Sequence, residues 1–154
     1  MVSSSGHRLL DSGAERNLAR ALFPLARVIT PNIPEAEILT GIAIASRADM
    51  ARAARALSAL TGAAILLKGG HLAGRADDLL LLDGNESWFS VPRVDTRHTH
   101  GTGCTLSSAI ASNLALGFSV PESVARAKDY VTKAILYAPG LGKGNGPLLH
   151  RVAI

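Results

Sequence analysis

The chain has 154 residues, of which 47% are hydrophobic and 18% charged. A chain of this length can bury about 70% of its unfolded surface, and this composition excludes intrinsic disorder. Sixteen basic against twelve acidic residues leave a net charge of +4, which suits an anionic ligand; with scattered Lys and Arg and only 4% aromatic residues, no nucleic-acid partner is expected.

The one cysteine, Cys104, excludes an internal disulfide and fits a reducing compartment. No apolar run approaches the roughly 18 residues of a membrane helix. Met1 to Leu10 carry no apolar signal-peptide core. A soluble, cytoplasmic protein with no membrane partner is expected. There is no internal repeat or linker, so residues 1–154 are expected to form a single domain.

In chain order, Met1 to Gly6 read as a turn. Asp11 to Leu22 read as a helix capped by Asp11 or Ser12, with Leu18, Ala21, Leu22 and Leu25 at helical spacing. Arg27 to Thr30 form a short strand. It runs into Pro31-Asn-Ile-Pro34 and a helix from about Pro34 to Thr40 that Gly41 ends. Arg47 to Leu60 form an amphipathic helix with Met50, Ala53, Ala54, Leu57 and Leu60 as its apolar stripe. Gly62 stops it, and Ala63 to Lys68 form a buried strand. Asp78–Leu82 and Ser87–Val91 flank Asp83-Gly84-Asn85 as a β-hairpin. A helix opens at Thr102 or Gly103 and closes at Gly117, and another covers Pro121 to Tyr137. Gly140 to Pro147 form a glycine-rich loop. Strands alternating with helices predict an α/β fold with a mostly parallel sheet and one β-hairpin.

Four motifs could carry chemistry. Thr99-His-Gly-Thr-Gly-Cys-Thr105 precedes an apolar helix. Glycines that turn the backbone, followed by a helix N-terminus, offer amide donors to a phosphate. A helix N-terminus also favours the thiolate of a cysteine in its first turn, a group able to take a proton. A plain glycine turn with a small packed cysteine is the alternative. Lys68-Gly-Gly-His71 follows a strand, where open α/β sheets bind ligands; taken alone, the motif reads better as a plain turn with a solvated Lys. His71 has no Cys or acidic cluster near it in sequence and reads as a turn residue rather than a metal ligand. Asn32-Ile-Pro-Glu35 fits a capping box, which would also hold Glu35 within reach of a metal-bound water. The Lys143 loop could fold over a nucleotide or be a simple turn. Glycine loops, a lysine, a carboxylate and a base are the parts phosphoryl transfer uses.

Thr30-Pro-Asn-Ile-Pro-Glu-Ala-Glu37, Leu67-Lys-Gly-Gly-His71 and Thr99-His-Gly-Thr-Gly-Cys-Thr105 resemble, in order and spacing, the hydroxymethylpyrimidine/phosphomethylpyrimidine kinases of thiamine biosynthesis. That family belongs to the ribokinase-like superfamily of three-layer α/β/α sandwiches. The resemblance implies ATP and Mg²⁺ as cofactors and a small-molecule pyrimidine substrate, phosphorylated first as the alcohol and then as the monophosphate. It implies that Gly101, Thr102, Gly103 and the Cys104 amide form the anion hole, with Cys104 as catalytic base. It places Asn32 and Glu35 with nucleotide phosphate and Mg²⁺, the latter through water. Lys68, Gly69 and Gly70 would stand at the nucleotide phosphates, and the loop bearing Lys143 at the adenine. The family usually has His-Gly-Pro where this chain has Asn145-Gly146-Pro147.

Family members are longer, and their N-terminal glycine-rich substrate segment has no counterpart here. The chain therefore reads as the C-terminal, nucleotide-side half, and association with itself as a homo-oligomer or with a complementary N-terminal half is expected. A cysteine-bearing pyridoxal kinase, which shares the Gly-Thr-Gly-Cys loop, and a non-catalytic nucleotide-binding fragment are the competing readings.

Overall fold

The computed structural model describes residues 11–70, 76–92 and 94–152. The turn expected at Met1–Gly6 and the role weighed for His71 lie outside the described residues. Contacts divide the chain into two compact units, residues 1–93 and 94–154.

In the first unit, α1 (Ser12–Asn17) is capped by Asp11, whose carboxylate accepts from the Ala14 amide at 2.8 Å. The expected helix to Leu22 does not keep one pitch. It opens into a π turn (Leu18–Leu22) and tightens into a 3-10 turn (Phe23–Leu25) holding Pro24. Changing pitch rotates side chains off a common face, and Leu22 and Leu25 end up 56% and 81% exposed.

Strand β1 (Val28–Ile29) leads into α2 (Ile33–Thr40), and α3 (Arg47–Thr61) leads into β2 (Ala64–Lys68). Strands β3 (Ala76–Leu82) and β4 (Asn85–Val91) complete a four-stranded sheet of order β1-β2-β3-β4. The fold is α/β as expected, with the expected hairpin, but the balance within the sheet differs. Among the described strands only β1–β2 is parallel; β2–β3 and β3–β4 are antiparallel. Residues 69–75 are too few for a parallel crossover, which needs about a dozen or more. The hairpin turns on Asp83 and Gly84, both at positive φ (50° and 79°), the primed turn that matches strand twist.

Register fixes two faces. Ile65 pairs with Leu81 and Leu67 with Leu79, and these four join Met50, Ala53, Ala54 and Leu57 of α3 and Ile33 and Ala36 of α2 in one core. Leu66 with Leu80, and Lys68 with Asp78, alternate onto the opposite face. The α3 stripe departs from expectation at Leu60, which is 68% exposed. Thr61 takes the inward position of the last turn, its hydroxyl satisfied by the Leu57 carbonyl at 2.9 Å.

The second unit is built on α4 (Thr102–Ala115) and α5 (Val120–Leu136), which pack together. Ser119 and Glu122 close a capping box at the start of α5. Leu106 and Ile110 of α4 and Val124, Ala127, Val131 and Ala134 of α5 are buried. The segment after the glycine-rich loop returns to α5, where the Leu149 amide donates to the Ala134 carbonyl at 3.0 Å.

Candidate functional site

The first corner lies at the carboxyl ends of β1 and β2. Pairing continues past β1, because the Lys68 amide donates to the Pro31 carbonyl at 2.9 Å and Asn32 bridges to Lys68. That continuation brings two separate motifs side by side. Asn32 is the N-cap of α2: its Oδ1 accepts from the Glu35 amide at 2.8 Å, and Glu35 Oε2 accepts from the Asn32 amide at 2.9 Å. The capping box expected from the sequence is complete, and it fixes Glu35 in the first turn of α2. Glu35 also lines, with Thr30, Pro31 and Leu39, a cavity of about 160 Å³. Lys68 is half-buried, and its Nζ donates to the Thr30 carbonyl.

The two glycines after Lys68 differ. A Cβ on Gly69 would come 1.9 Å from the Asp77 carbonyl oxygen, so only glycine fits there. The Gly69 amide is committed to Asp78 Oδ1 at 2.9 Å. Gly70 is exposed and uncrowded. Sequence reasoning missed Asp78. The available signal was a carboxylate heading the apolar run Leu79–Leu82, directly across from Lys68 once the hairpin register is fixed.

The second corner is the start of α4. Gly101 is the N-cap at φ 84° and ψ 0°, a left-handed conformation that side-chain-bearing residues rarely adopt. No side chain caps the helix. The Thr102 hydroxyl and amide both turn back to the Thr99 carbonyl, at 2.7 and 3.3 Å. The first intrahelical bond runs from the Thr105 amide to the Gly101 carbonyl at 2.8 Å. Among the described residues, no acceptor takes the amides of Gly103 and Cys104. Cys104 is exposed with a free thiol. Open amides at a helix N-terminus carry partial positive charge and suit an oxyanion.

The glycine-rich loop lies beside this corner. The His100 amide donates to the Gly146 carbonyl at 3.3 Å, and His100 bridges to Pro147. Arg97 donates to the carbonyls of Gly142 and Lys143, each at 3.5 Å. Gly146 sits on the His98 ring, where a Cβ would fall 2.1 Å from Nδ1. The structure thus brings the Lys143 loop to the residues leading into the Gly101–Cys104 turn, and Lys143 itself is exposed. His98, not singled out by the sequence, is the packing floor of that loop.

Another cavity of about 350 Å³, lined by Phe23, Pro24, Leu39, Leu57 and Leu60, includes none of the candidate residues. Among the described residues no group of three or more His, Cys, Asp or Glu could hold a metal ion. None of their helices is long and apolar enough to cross a membrane.

Comparison with known proteins matches both corners at once. The phosphomethylpyrimidine kinase family model fits residues 1–149. A hydroxymethylpyrimidine/phosphomethylpyrimidine kinase of Streptomyces coelicolor is 49% identical over 153 residues, 99% of this chain and 57% of that protein. The phosphomethylpyrimidine kinase structure from Clostridium difficile superposes with a TM-score of 0.76 at 44% identity, covering 88% of this chain and 54% of that one. The ADP complex of Bacillus subtilis pyridoxal kinase superposes with a TM-score of 0.86 at 34% identity, covering 92% and 56%. The chain therefore spans little more than half the length of these relatives. With a family match across both glycine-bearing corners and a shared ribokinase-like α/β fold, the chain belongs to the phosphomethylpyrimidine kinase family.

Proposed function

We propose that this chain is the nucleotide-side half of an ATP-dependent kinase that phosphorylates hydroxymethylpyrimidine and then its monophosphate. The observation that carries the reading is the uncapped Gly101–Cys104 turn, with open amides and an exposed thiol at one helix N-terminus. Its amides would receive the oxygens of the transferring phosphoryl group. Such preorganised donors stabilise charge as it develops, which is the main protein contribution to phosphoryl transfer. Cys104 Sγ would take the proton from the substrate hydroxyl as its oxygen attacks the γ-phosphorus. The bond from that phosphorus to the bridging oxygen then breaks, and ADP carries the charge away.

Lys68 and Gly70 would lie along the nucleotide phosphates, Asn32 and Glu35 beside them, and the Lys143 loop along the adenine. The Gly69 amide already donates to Asp78, so this glycine would serve by letting the backbone approach β3 rather than by binding phosphate. Magnesium keeps several waters and uses one or two carboxylates with substrate phosphates, so Glu35, fixed by its capping box, would hold it through water. When bound, the ion neutralises phosphate charge.

A pyridoxal kinase is the second reading, favoured by the higher TM-score of the Bacillus subtilis enzyme. The pyrimidine reading is preferred because identity is higher to the pyrimidine kinases (44–49% against 34%), and TM-score reports backbone shape alone. Turnover on small soluble metabolites fits a cytoplasmic setting. Strand β1, two residues long and at the edge of the described sheet, is where a complementary N-terminal half or a second copy would pair.

The test is ADP formation from ATP-Mg with hydroxymethylpyrimidine, its monophosphate or pyridoxal, using the chain alone and with a supplied N-terminal half. ADP dependent on the pyrimidine is expected. ADP dependent on pyridoxal instead favours the second reading, and none in any combination overturns the kinase.

A further inference from the structure

Asp78 is a buried carboxylate that the proposed chemistry leaves unused. It is 7% exposed and stands directly opposite Lys68 in the β2–β3 register. Cross-strand partners share one face of a sheet, so a buried carboxylate sits beside the lysine at the carboxyl end of β2. Its Oδ1 accepts from the Gly69 amide at 2.9 Å. Gly69 is also held by the neighbouring backbone, since its Cα lies against the Asp77 carbonyl with no room for a Cβ. The peptide after Lys68 is therefore gripped twice by β3, once by backbone and once by a side chain.

We propose that Asp78 is a positioning residue for the nucleotide phosphates. By holding the Gly69 peptide and facing Lys68 across the strands, it sets the direction in which the chain leaves β2. That direction determines where Gly70 stands, relative to Lys68, for a polyphosphate. Asp78 acts through the Gly69 peptide, to which its Oδ1 is committed, rather than on the nucleotide itself. The inference rests on the kinase reading.

Asparagine at this position keeps an acceptor for the Gly69 amide, and alanine removes it. The measurement is binding of a non-hydrolysable ATP analogue with magnesium to the unsubstituted chain, Asp78→Ala and Asp78→Asn, alongside thermal unfolding. Without its acceptor the Gly69 peptide can turn away from the direction that suits a polyphosphate, so about tenfold weaker binding is expected for Asp78→Ala, with Asp78→Asn within about threefold of the parent. In the assembled kinase the same change should raise KM for ATP and leave kcat within about threefold. Loss of packing alone would instead lower stability without this split. If Asp78→Ala does not fold, hydrogen exchange at the Gly69 amide in Asp78→Asn and Asp78→Ser decides. Protection in the first and not in the second supports the role, and equal protection overturns it. Folded Asp78→Ala that binds the analogue normally overturns the positioning role alone. Failure of the unsubstituted chain to bind it, both alone and with a supplied N-terminal half, overturns the kinase reading together with this one.

Discussion

The two corners solve opposite problems. At the ends of β1 and β2, polar groups are committed to one another: Asn32 to Glu35, Lys68 to the Thr30 carbonyl, Gly69 to Asp78. At the start of α4 the donors are left open: no side chain caps the helix, and Cys104 is exposed. A committed network is rigid and positions charge. An open helix end holds back its hydrogen bonds for a ligand. The difference separates residues whose loss should harm folding and positioning from residues whose loss should harm chemistry.

Substitutions can break or sharpen that contrast. The largest effect is expected at the open corner. Cys104→Ala should lower turnover in the assembled kinase by about 100-fold or more, as losing a general base does, with ATP-analogue affinity little changed. Equal losses in turnover and affinity would make Cys104 structural. At the committed corner, Gly69→Ala forces a Cβ to within 1.9 Å of the Asp77 carbonyl oxygen. It should destabilise the fold by about 1–3 kcal/mol, read by denaturant unfolding. Asn32→Ala removes half of a capping box and should cost about 1 kcal/mol by the same measurement, with Asn32→Asp close to the parent.

The smallest effect lies outside both corners and serves as a control. Hydrogen bonds from the Ser119 hydroxyl, then from its backbone amide, hold the Glu122 carboxyl below the usual glutamate range. A depressed carboxylate contributes stability above its unfolded pKa and loses it as pH falls through its folded one. Unfolding midpoints measured into the acid range should therefore fall slightly less steeply for Glu122→Gln than for the parent, with no change in nucleotide binding.

Much of this was legible in the sequence, for identifiable reasons. Gly41 and Gly62 end their helices at positive φ as the pattern requires, and the Asn32–Glu35 spacing produced the capping box it predicts. Local rules decide such features. What they could not give was register. The pairing of Lys68 with Asp78, and the continuation past β1 that seats Asn32 beside Lys68, depend on contacts between distant segments. The packing of Gly146 on His98 is of the same kind: both residues were visible, but nothing local joins them. Leu22 and Leu25 failed in the other direction. Their spacing is helical, but the chain changes pitch around them.

The central claim is that the open turn before α4 is the seat of the transferring phosphate. Amide chemical shifts of the isotopically labelled chain, followed while a non-hydrolysable ATP analogue with magnesium is added, test it directly. The account predicts large, saturable shifts at Gly103 and Cys104, with smaller ones at the already bonded Gly69 amide. Saturable binding that leaves Gly103 and Cys104 unmoved would contradict it.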